Sequence, residues 1–220
     1  MNDNMTVGAR LGQIYSEAQR LFMSSMPAAA LYIGGLTAFS TVVDVNGWNS
    51  GGDQLVNFAA LGFGFYLIKQ ILENAGLAPD GIRNGLWSYF GLGLLSGIGI
   101  AVGLVLLVLP GLFLLVRWMP AYGFSFADGE TVTDSLGKSW EATRTHFWPL
   151  AIAALLPMGG YVAAVAILLL GADAAENMSL PVALIANLVL YSSSALFTAI
   201  GLAAYSLLAQ PDNGLEEVFG

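Results

Sequence analysis

The sequence contains no cysteine and only one histidine, His146. A chain without cysteine can form no disulfide, no thiolate metal site and no cysteine nucleophile. A single histidine also excludes a metal centre that takes three histidines from one chain. No phosphate-binding glycine loop, serine nucleophile elbow or paired-histidine zinc motif is present in the sequence. We therefore predict no catalytic residue, no metal site and no cofactor.

Charge is also scarce, because Asp, Glu, Lys and Arg make up 10% of the chain, whereas a soluble domain carries about 25%. Hydrophobic residues make up 56%, a share that is typical of integral membrane proteins. The formal net charge of −8 argues against nucleic acid as a partner, because phosphate binding needs a basic surface. Asp3 lies where a secretory signal would carry basic residues, so no cleaved leader is expected.

Long apolar runs take the place of the missing charge. A helix needs about 20 residues to cross the hydrocarbon of a bilayer, and six stretches approach or exceed that length. The predicted spans are residues 23–43, 55–72, 86–109, 112–127, 147–171 and 181–209. The predicted fold class is an all-α integral membrane protein, with six transmembrane helices over residues 23–209 and an acidic cytoplasmic tail over residues 210–220.

Two amphipathic helices are predicted beside the spans. In the cytoplasmic segment 1–22, apolar residues recur every three or four positions, which is typical of a helix lying in the membrane interface. A second such helix is predicted over residues 131–146. Thr131 and Asp134 have the spacing of a capping box at its start, and Lys138 is one turn beyond Asp134, where the two charges can pair.

The basic residues predict the orientation of the chain. The loops 44–54 and 172–180 contain no Lys or Arg. Six of the seven basic residues lie near the N-terminus, in the other connections or at the span end that flanks one of them: Arg10, Arg20, Lys69, Arg83, Lys138 and Arg144. Because basic residues stay on the cytoplasmic side, we predict a multi-pass protein of a bacterial cytoplasmic (inner) membrane with both termini in the cytoplasm.

Glycine is concentrated in the third predicted span. Gly93 and Gly97 form one pair of small residues four positions apart, and Gly99 and Gly103 form another that faces a different direction. Because each pair allows a close approach, we predict that span 86–109 lies centrally with protein on two sides. Proline cannot continue a helix and glycine permits a sharp reversal, so the adjacent residues Pro110 and Gly111 predict the hairpin that ends this span.

Lys69 lies near the end of its predicted span, so Arg117 is the one charge well inside a span, where it costs several kcal/mol unless it finds partners or reaches the surface. Counting from a turn at Gly111, Arg117 is expected in the outer half of the membrane, at the depth of Asn187. We predict that it points inward, bonded to Asn187 or to backbone carbonyls and offset electrostatically by Asp44. It would then anchor neighbouring spans or hold an anionic lipid headgroup or solute.

One stretch of the chain resembles a known family. The pattern consists of Leu109-Pro110-Gly111, Arg117, Asp128-Gly129-Glu130, Ser135-Leu136-Gly137-Lys138-Ser139-Trp140 and Phe147-Trp148. It is similar to the membrane domain of some bacterial glycerophosphodiester phosphodiesterases and to related stand-alone six-span membrane proteins of unknown function. The resemblance implies a six-span membrane module. The 220 residues leave no room for a catalytic barrel of about 250 residues, so phosphodiesterase activity is not expected.

These observations favour a non-catalytic membrane protein that binds lipid or a partner membrane protein, as a scaffold or an accessory subunit. The alternative is a small transporter or lipid-translocating protein with a site near Arg117. A weak repeat at an offset of 125 residues, between Leu11-Gly12-Gln13 and Leu136-Gly137-Lys138, supports the alternative because repeats are common in transporters. The expected partners are membrane lipids, other membrane proteins or a second copy of the chain.

Overall fold

The computed structural model describes residues 6–47, 49–171 and 178–209, and these fold into helices joined by short connections. The predicted tail 210–220 and most of the predicted loop 172–180 lie outside the described residues. The helices of the described residues are α1 (Val7–Ser24), α2 (Met26–Asn46), α3 (Asn49–Asn74), α4 (Leu86–Leu106), α5 (Val108–Trp118), α6 (Ala121–Phe126), α7 (Val132–Ala142), α8 (Phe147–Gly171) and α9 (Leu180–Ala209).

Five of these helices, α2, α3, α4, α8 and α9, are long and apolar enough to cross a membrane. The fourth predicted span, residues 112–127, is instead divided between α5 and α6. The division falls at Met119 and Pro120. Pro120 has no N–H to donate to the carbonyl of Val116, and its ring crowds that carbonyl, so a continuous helix is interrupted there. The sequence thus predicted the apolar segment but not its break.

The predicted loop 44–54 is mostly helical, which corrects its bounds. The helix α2 continues to Asn46 and ends where Gly47 takes a left-handed conformation, with φ of 59°. Its N–H turns back to the carbonyl oxygen of Asp44 at 3.4 Å. The helix α3 begins at Asn49, so Gly51 and Gly52 lie in its first turn rather than in a loop. Glycine lowers helix propensity by only about 1 kcal/mol, which neighbouring apolar residues can offset.

The helices α4 and α5 form a tight hairpin whose turn is at Leu107, not at Pro110 and Gly111. Leu107 is extended, with φ of −159° and ψ of 133°, and it caps both helices. Pro110 therefore lies in the first turn of α5, where a missing N–H removes no hydrogen bond. Gly111 packs against Gly103, since a Cβ built on Gly103 would lie 2.8 Å from the Cα of Gly111.

The prediction that the third span lies centrally is wrong. The helix α4 packs on α5 and more lightly on α3, α6 and α7, and its buried residues are Leu92 and Gly103. A Cβ on Gly93 would contact Tyr122 of α6, and one on Gly99 would contact Trp118 of α5. A Cβ on Gly97 would meet nothing within 4 Å. The closest of these contacts are with α5, and a Cβ on Gly91 would lie 3.3 Å from Val132 of α7, but most of the helix is not covered by protein.

The central helix is α9, which packs against α1, α2, α6 and α8. Every residue of its segment 199–206 is buried, and small side chains predominate there. The helix α1 packs against α8 and α9 and buries Ile14, Ala18 and Leu21. The hydroxyl of Tyr15 donates to the carbonyl oxygen of Ala153 in α8 at 3.2 Å. The N-terminal helix is therefore part of the bundle.

Two connections are joined at one end of the bundle. The side chain of Asn84, just before α4, donates to the carbonyl oxygens of Ser125 at 2.7 Å and Glu130 at 2.8 Å. At the same end, the hydroxyl of Tyr205 in α9 donates to Asp128 at 2.6 Å. Thr131 caps α7, accepting from the N–H of Asp134 at 3.2 Å, as its spacing predicted. We call this end, with α1, α7 and these connections, the basic end.

Candidate functional site

Arg117 lies in the last turn of α5 and contacts α7. Its Nη1 donates to the carbonyl oxygen of Trp140 at 3.2 Å and to Oγ1 of Thr143 at 3.5 Å. A bond to a backbone carbonyl was one of the predicted alternatives, but the predicted partner Asn187 is remote. Because the hairpin turns at Leu107 rather than Gly111, Arg117 lies about 15 Å along the chain from the turn. Its contacts with Trp140 and Thr143, and with Phe147 at the start of α8, place it against the basic end.

Three aromatic rings surround the guanidinium. Its Cζ lies 5.0 Å from the ring centroid of Phe113, 5.1 Å from that of Trp140 and 5.7 Å from that of Phe147. All three distances are within the roughly 6 Å over which a ring face attracts a cation. The rings also pack on one another, with Phe113 and Phe147 centroids 5.0 Å apart. Arg117 is 8% exposed, so the aromatic side chains take the place of water around its charge.

The charge of Arg117 has no acidic partner among the described residues, whose ion pairs are Arg20–Glu17, Lys69–Glu73 and Lys138–Glu130. Its Nε is buried and has no hydrogen-bond acceptor. A buried charge costs several kcal/mol to desolvate, whereas a cation–π contact returns about 0.5–2 kcal/mol. The cage therefore offsets only part of the desolvation cost, and Nε is left without an acceptor.

The hydroxyls of α7 hold the end of α5 against it. Ser139 Oγ donates to the carbonyl oxygen of Arg117 at 2.7 Å, and Thr143 Oγ1, just after α7, lies 3.4 Å from the same oxygen. The last carbonyls of a helix lack partners within it, and the break at Pro120 exposes them here. Sequence reasoning missed this contact. Two small hydroxyl residues four positions apart in the predicted helix were the available signal.

The surroundings of Arg117 are positively charged. Arg144 is exposed and close enough to act electrostatically on Arg117. His146 is buried immediately before α8. The helix α8 begins at Phe147, whose ring belongs to the cage, and the first N–H groups of a helix carry a partial positive charge. The acidic side chain of Glu141 is exposed nearby and belongs to none of the ion pairs of the described residues.

An apolar groove lies between α5 and α8, directly beside this cage. It has a volume of about 500 Å³. Its lining consists of Leu109, Pro110, Leu112, Phe113, Val116, Phe147, Trp148, Ala151, Leu155 and Met158. Phe113 and Phe147 thus line the groove and also form part of the aromatic cage around the guanidinium. Trp148 and Leu155 are exposed along its edge, so the groove is open on the side where lipid would lie.

Asn187 and Asp44 form a separate polar cluster between α9 and α2. The amide of Asn187 donates to Asp44 Oδ2 at 2.6 Å and to Thr41 Oγ1 at 3.4 Å. Asn187 is about 27 Å along α9 from Tyr205 at the basic end, so the cluster lies near the opposite end of the bundle. The predicted site of Arg117, Asn187 and Asp44 is therefore divided, and only the Asn187–Asp44 pair is brought together.

Hydroxyl groups extend this cluster along the same interface. The hydroxyl oxygens of Ser40 and Tyr191 are 2.6 Å apart, and those of Tyr32 and Ser194 are 2.7 Å apart. Thr37, between these pairs along α2, is buried and its Oγ1 has no partner. Hydrogen bonds of this kind join helices in membranes. The sequence signal was the recurrence of hydroxyl side chains along one face of the first predicted span.

No family model matches this chain, and neither a curated protein nor a solved structure shows significant similarity to it.

Proposed function

We propose that this chain is a non-catalytic protein of the bacterial cytoplasmic membrane that binds membrane lipid and acts as a scaffold or accessory subunit. The observation that carries the proposal is the groove between α5 and α8, which is lined entirely by apolar residues. In a bilayer an open apolar groove is filled by acyl chains. Its lining on α8 runs from Phe147 to Met158, about 17 Å along the axis, close to half of the roughly 30 Å hydrocarbon thickness.

The proposed topology has six crossings. The five long helices supply five, and α5 and α6 together supply the sixth, because residues 108–126 extend over about 28 Å if measured as helix. The cytoplasmic placement of the basic end is supported by its charges. Arg83, Lys138 and Arg144 lie there with Arg117. The helix α1, which carries Arg20, is joined to the same end, because Glu17 accepts a hydrogen bond from Ser206 near the end of α9 at 2.7 Å.

The resemblance of residues 109–148 to the membrane domain of bacterial glycerophosphodiester phosphodiesterases supports the same proposal. The resemblance covers the membrane module of those proteins and not the soluble domain that carries their catalysis. The residues of the pattern also meet in space here, since Arg117, Trp140 and Phe147 form the cage beside the groove. A membrane module that holds lipid is consistent with this arrangement.

Filling the groove tests the proposal. Ala151 lines the groove and has a small side chain, so Ala151→Trp should displace the bound acyl chain and lower by about one the number of phospholipids that stay with the purified protein. Native mass spectrometry from mild detergent counts these lipids. Ala163→Trp is the matched control, because Ala163 is exposed on the same helix and lies outside the groove. Equal lipid retention by both variants would contradict lipid binding in the groove.

The alternative is a small transporter or lipid-translocating protein. The row of hydroxyl groups between α2 and α9 favours it, because the pairs Ser40–Tyr191 and Tyr32–Ser194 extend the polar Asn187–Asp44 cluster from one end of the bundle inward. Reconstituted protein that moves protons, ions or labelled lipid across a vesicle membrane, and loses this ability in Asn187→Leu, would support the transporter over the scaffold.

A further inference from the structure

The groove and the caged arginine share two walls, Phe113 and Phe147. Apolar side chains alone would bind the acyl chains of any lipid. The guanidinium next to them adds a feature that distinguishes one lipid headgroup from another. Resting on the proposed lipid binding, we infer that Arg117, Arg144 and the N-terminal turn of α8 hold the anionic headgroup of a phospholipid whose acyl chain lies in the groove.

The first argument is the unsatisfied donor. Arg117 is buried, its Nε has no acceptor, and no carboxylate of the described residues pairs with it. Buried charges in proteins are ordinarily paired, because an unpaired one loses its hydration without compensation. A phosphate oxygen would supply the acceptor and the opposite charge together, and guanidinium groups bind phosphate in this way.

The second argument is depth. The helix α8 has 25 residues and is therefore about 38 Å long, whereas the hydrocarbon core is about 30 Å thick. One or both of its ends must then lie in the headgroup layer. Phe147 and Trp148 begin the helix, and Trp148 is 70% exposed, as is common for aromatic residues at this depth. A lipid whose chain follows the groove would carry its phosphate beside Phe147 and Arg117.

The third argument is the sign of the local charge. Arg144 is exposed and directly follows Thr143, which accepts a hydrogen bond from Arg117, and the first turn of α8 adds the positive end of a long helix dipole. This contrasts with the whole chain, whose formal net charge is −8. A cationic patch on an acidic protein favours an anionic headgroup, whereas a zwitterionic one would bring a second positive charge close to both arginines.

The test compares headgroups in the full-length protein. Purified protein is placed in nanodiscs containing equal amounts of phosphatidylglycerol and phosphatidylcholine, and native mass spectrometry measures which lipid remains after the nanodisc is removed. Phosphatidylglycerol should be enriched. Arg144→Gln should lower this enrichment about five-fold, the factor expected when one basic residue near a headgroup is lost. Arg117→Gln should lower it further.

Arg20→Gln is the matched control, because Arg20 is also exposed at the basic end but belongs to an ion pair with Glu17 on α1. It should leave the enrichment unchanged. If Arg117→Gln does not fold, Arg144→Gln and Arg20→Gln decide the result alone. The inference would be overturned by equal phosphatidylglycerol enrichment in the parent protein, Arg144→Gln and Arg20→Gln. An equal fall in enrichment in Arg144→Gln and Arg20→Gln would also overturn it.

Two outcomes separate this inference from the function on which it rests. If Ala151→Trp removes a lipid but the parent protein shows no headgroup preference, lipid binding stands and the anionic site is wrong. If Ala151→Trp removes none, the proposed function itself fails. Inorganic phosphate serves as a further probe. Displacement of phosphatidylglycerol by phosphate, with stabilisation of the lipid-free protein, would assign the site to a free anion and also overturn the inference.

Discussion

The contact between Gly103 and Gly111 predicts a large effect from one added methyl group. A Cβ built on Gly103 would lie 2.8 Å from both the Cα and the backbone N of Gly111, whereas ordinary contacts begin at 3.4 Å. The two helices must therefore part by 0.6 Å or more, and neither atom belongs to a side chain that could rotate away. Overpacking of this kind costs about 1–3 kcal/mol. Helix propensity returns at most about 1 kcal/mol for Gly→Ala.

Gly97 gives the matched control, since it lies in the same helix and a Cβ there would meet nothing within 4 Å. Gly97→Ala should be neutral or stabilising by up to about 1 kcal/mol. We thus expect Gly103→Ala to be less stable than Gly97→Ala by about 1–3 kcal/mol, the full overpacking cost, because the propensity gain is common to both. Unfolding by sodium dodecyl sulfate in mixed micelles, followed by circular dichroism, measures the difference.

A double variant sharpens the test. Once Gly103→Ala has moved the helices apart, Gly111→Ala should cost less than it does alone, because both changes are relieved by the same displacement. Additive losses would mean that the two glycines do not share a contact. Stability of Gly103→Ala equal to or above that of Gly97→Ala would refute the hairpin geometry, and a loss of stability in Gly97→Ala would restore the predicted central position of this helix.

Two further predictions concern sidedness and pH. In this cysteine-free chain, Asn46→Cys should react with an impermeant thiol reagent on intact cells and Asp80→Cys should not, because both residues are exposed but lie at opposite ends of the bundle; the reverse pattern would invert the topology. Hydrogen bonds from Arg20 hold the pKa of Glu17 below its ordinary value, so Glu17 should stabilise the protein above about pH 4.3 and lose that contribution as the pH falls through its lowered pKa. Glu17→Gln should abolish that part of the acid sensitivity of the melting temperature, and identical pH profiles for the two proteins would contradict it.

Local sequence signals predicted the all-helical class and the long apolar helices, but not all of their bounds. The scarcity of charge and the long apolar runs determine an all-α membrane class, because backbone groups in hydrocarbon must bond within their own helix. The cap at Thr131 depends on residues three positions apart, and the structure has it as predicted. Interactions within one turn need no knowledge of the rest of the fold, which is why such predictions succeed.

Partners distant in sequence were not predictable in the same way. Lys138 pairs with Glu130 rather than with Asp134 one turn away, and Arg117 bonds α7 rather than Asn187. The sequence showed that Arg117 was exceptional but could not show its depth, since that depth depends on where the hairpin turns. A proline is accepted in the first turn of a helix and can also end one, and Pro110 lies in the first turn of α5 here because Leu107 makes the turn.

The Arg117 cage and the groove beside it are formed only by the tertiary structure. Apart from Arg117, the parts of the cage are ordinary in the sequence: a phenylalanine in α5, a tryptophan in α7 and a phenylalanine at the start of α8. Composition and periodicity determined that these residues lie on helices in or near a membrane. Only the packing of α5 against α7 and α8 brings three rings around one guanidinium and opens a groove beside them, because burial and electrostatic pairing are set by distances between helices and not by spacing along any one of them.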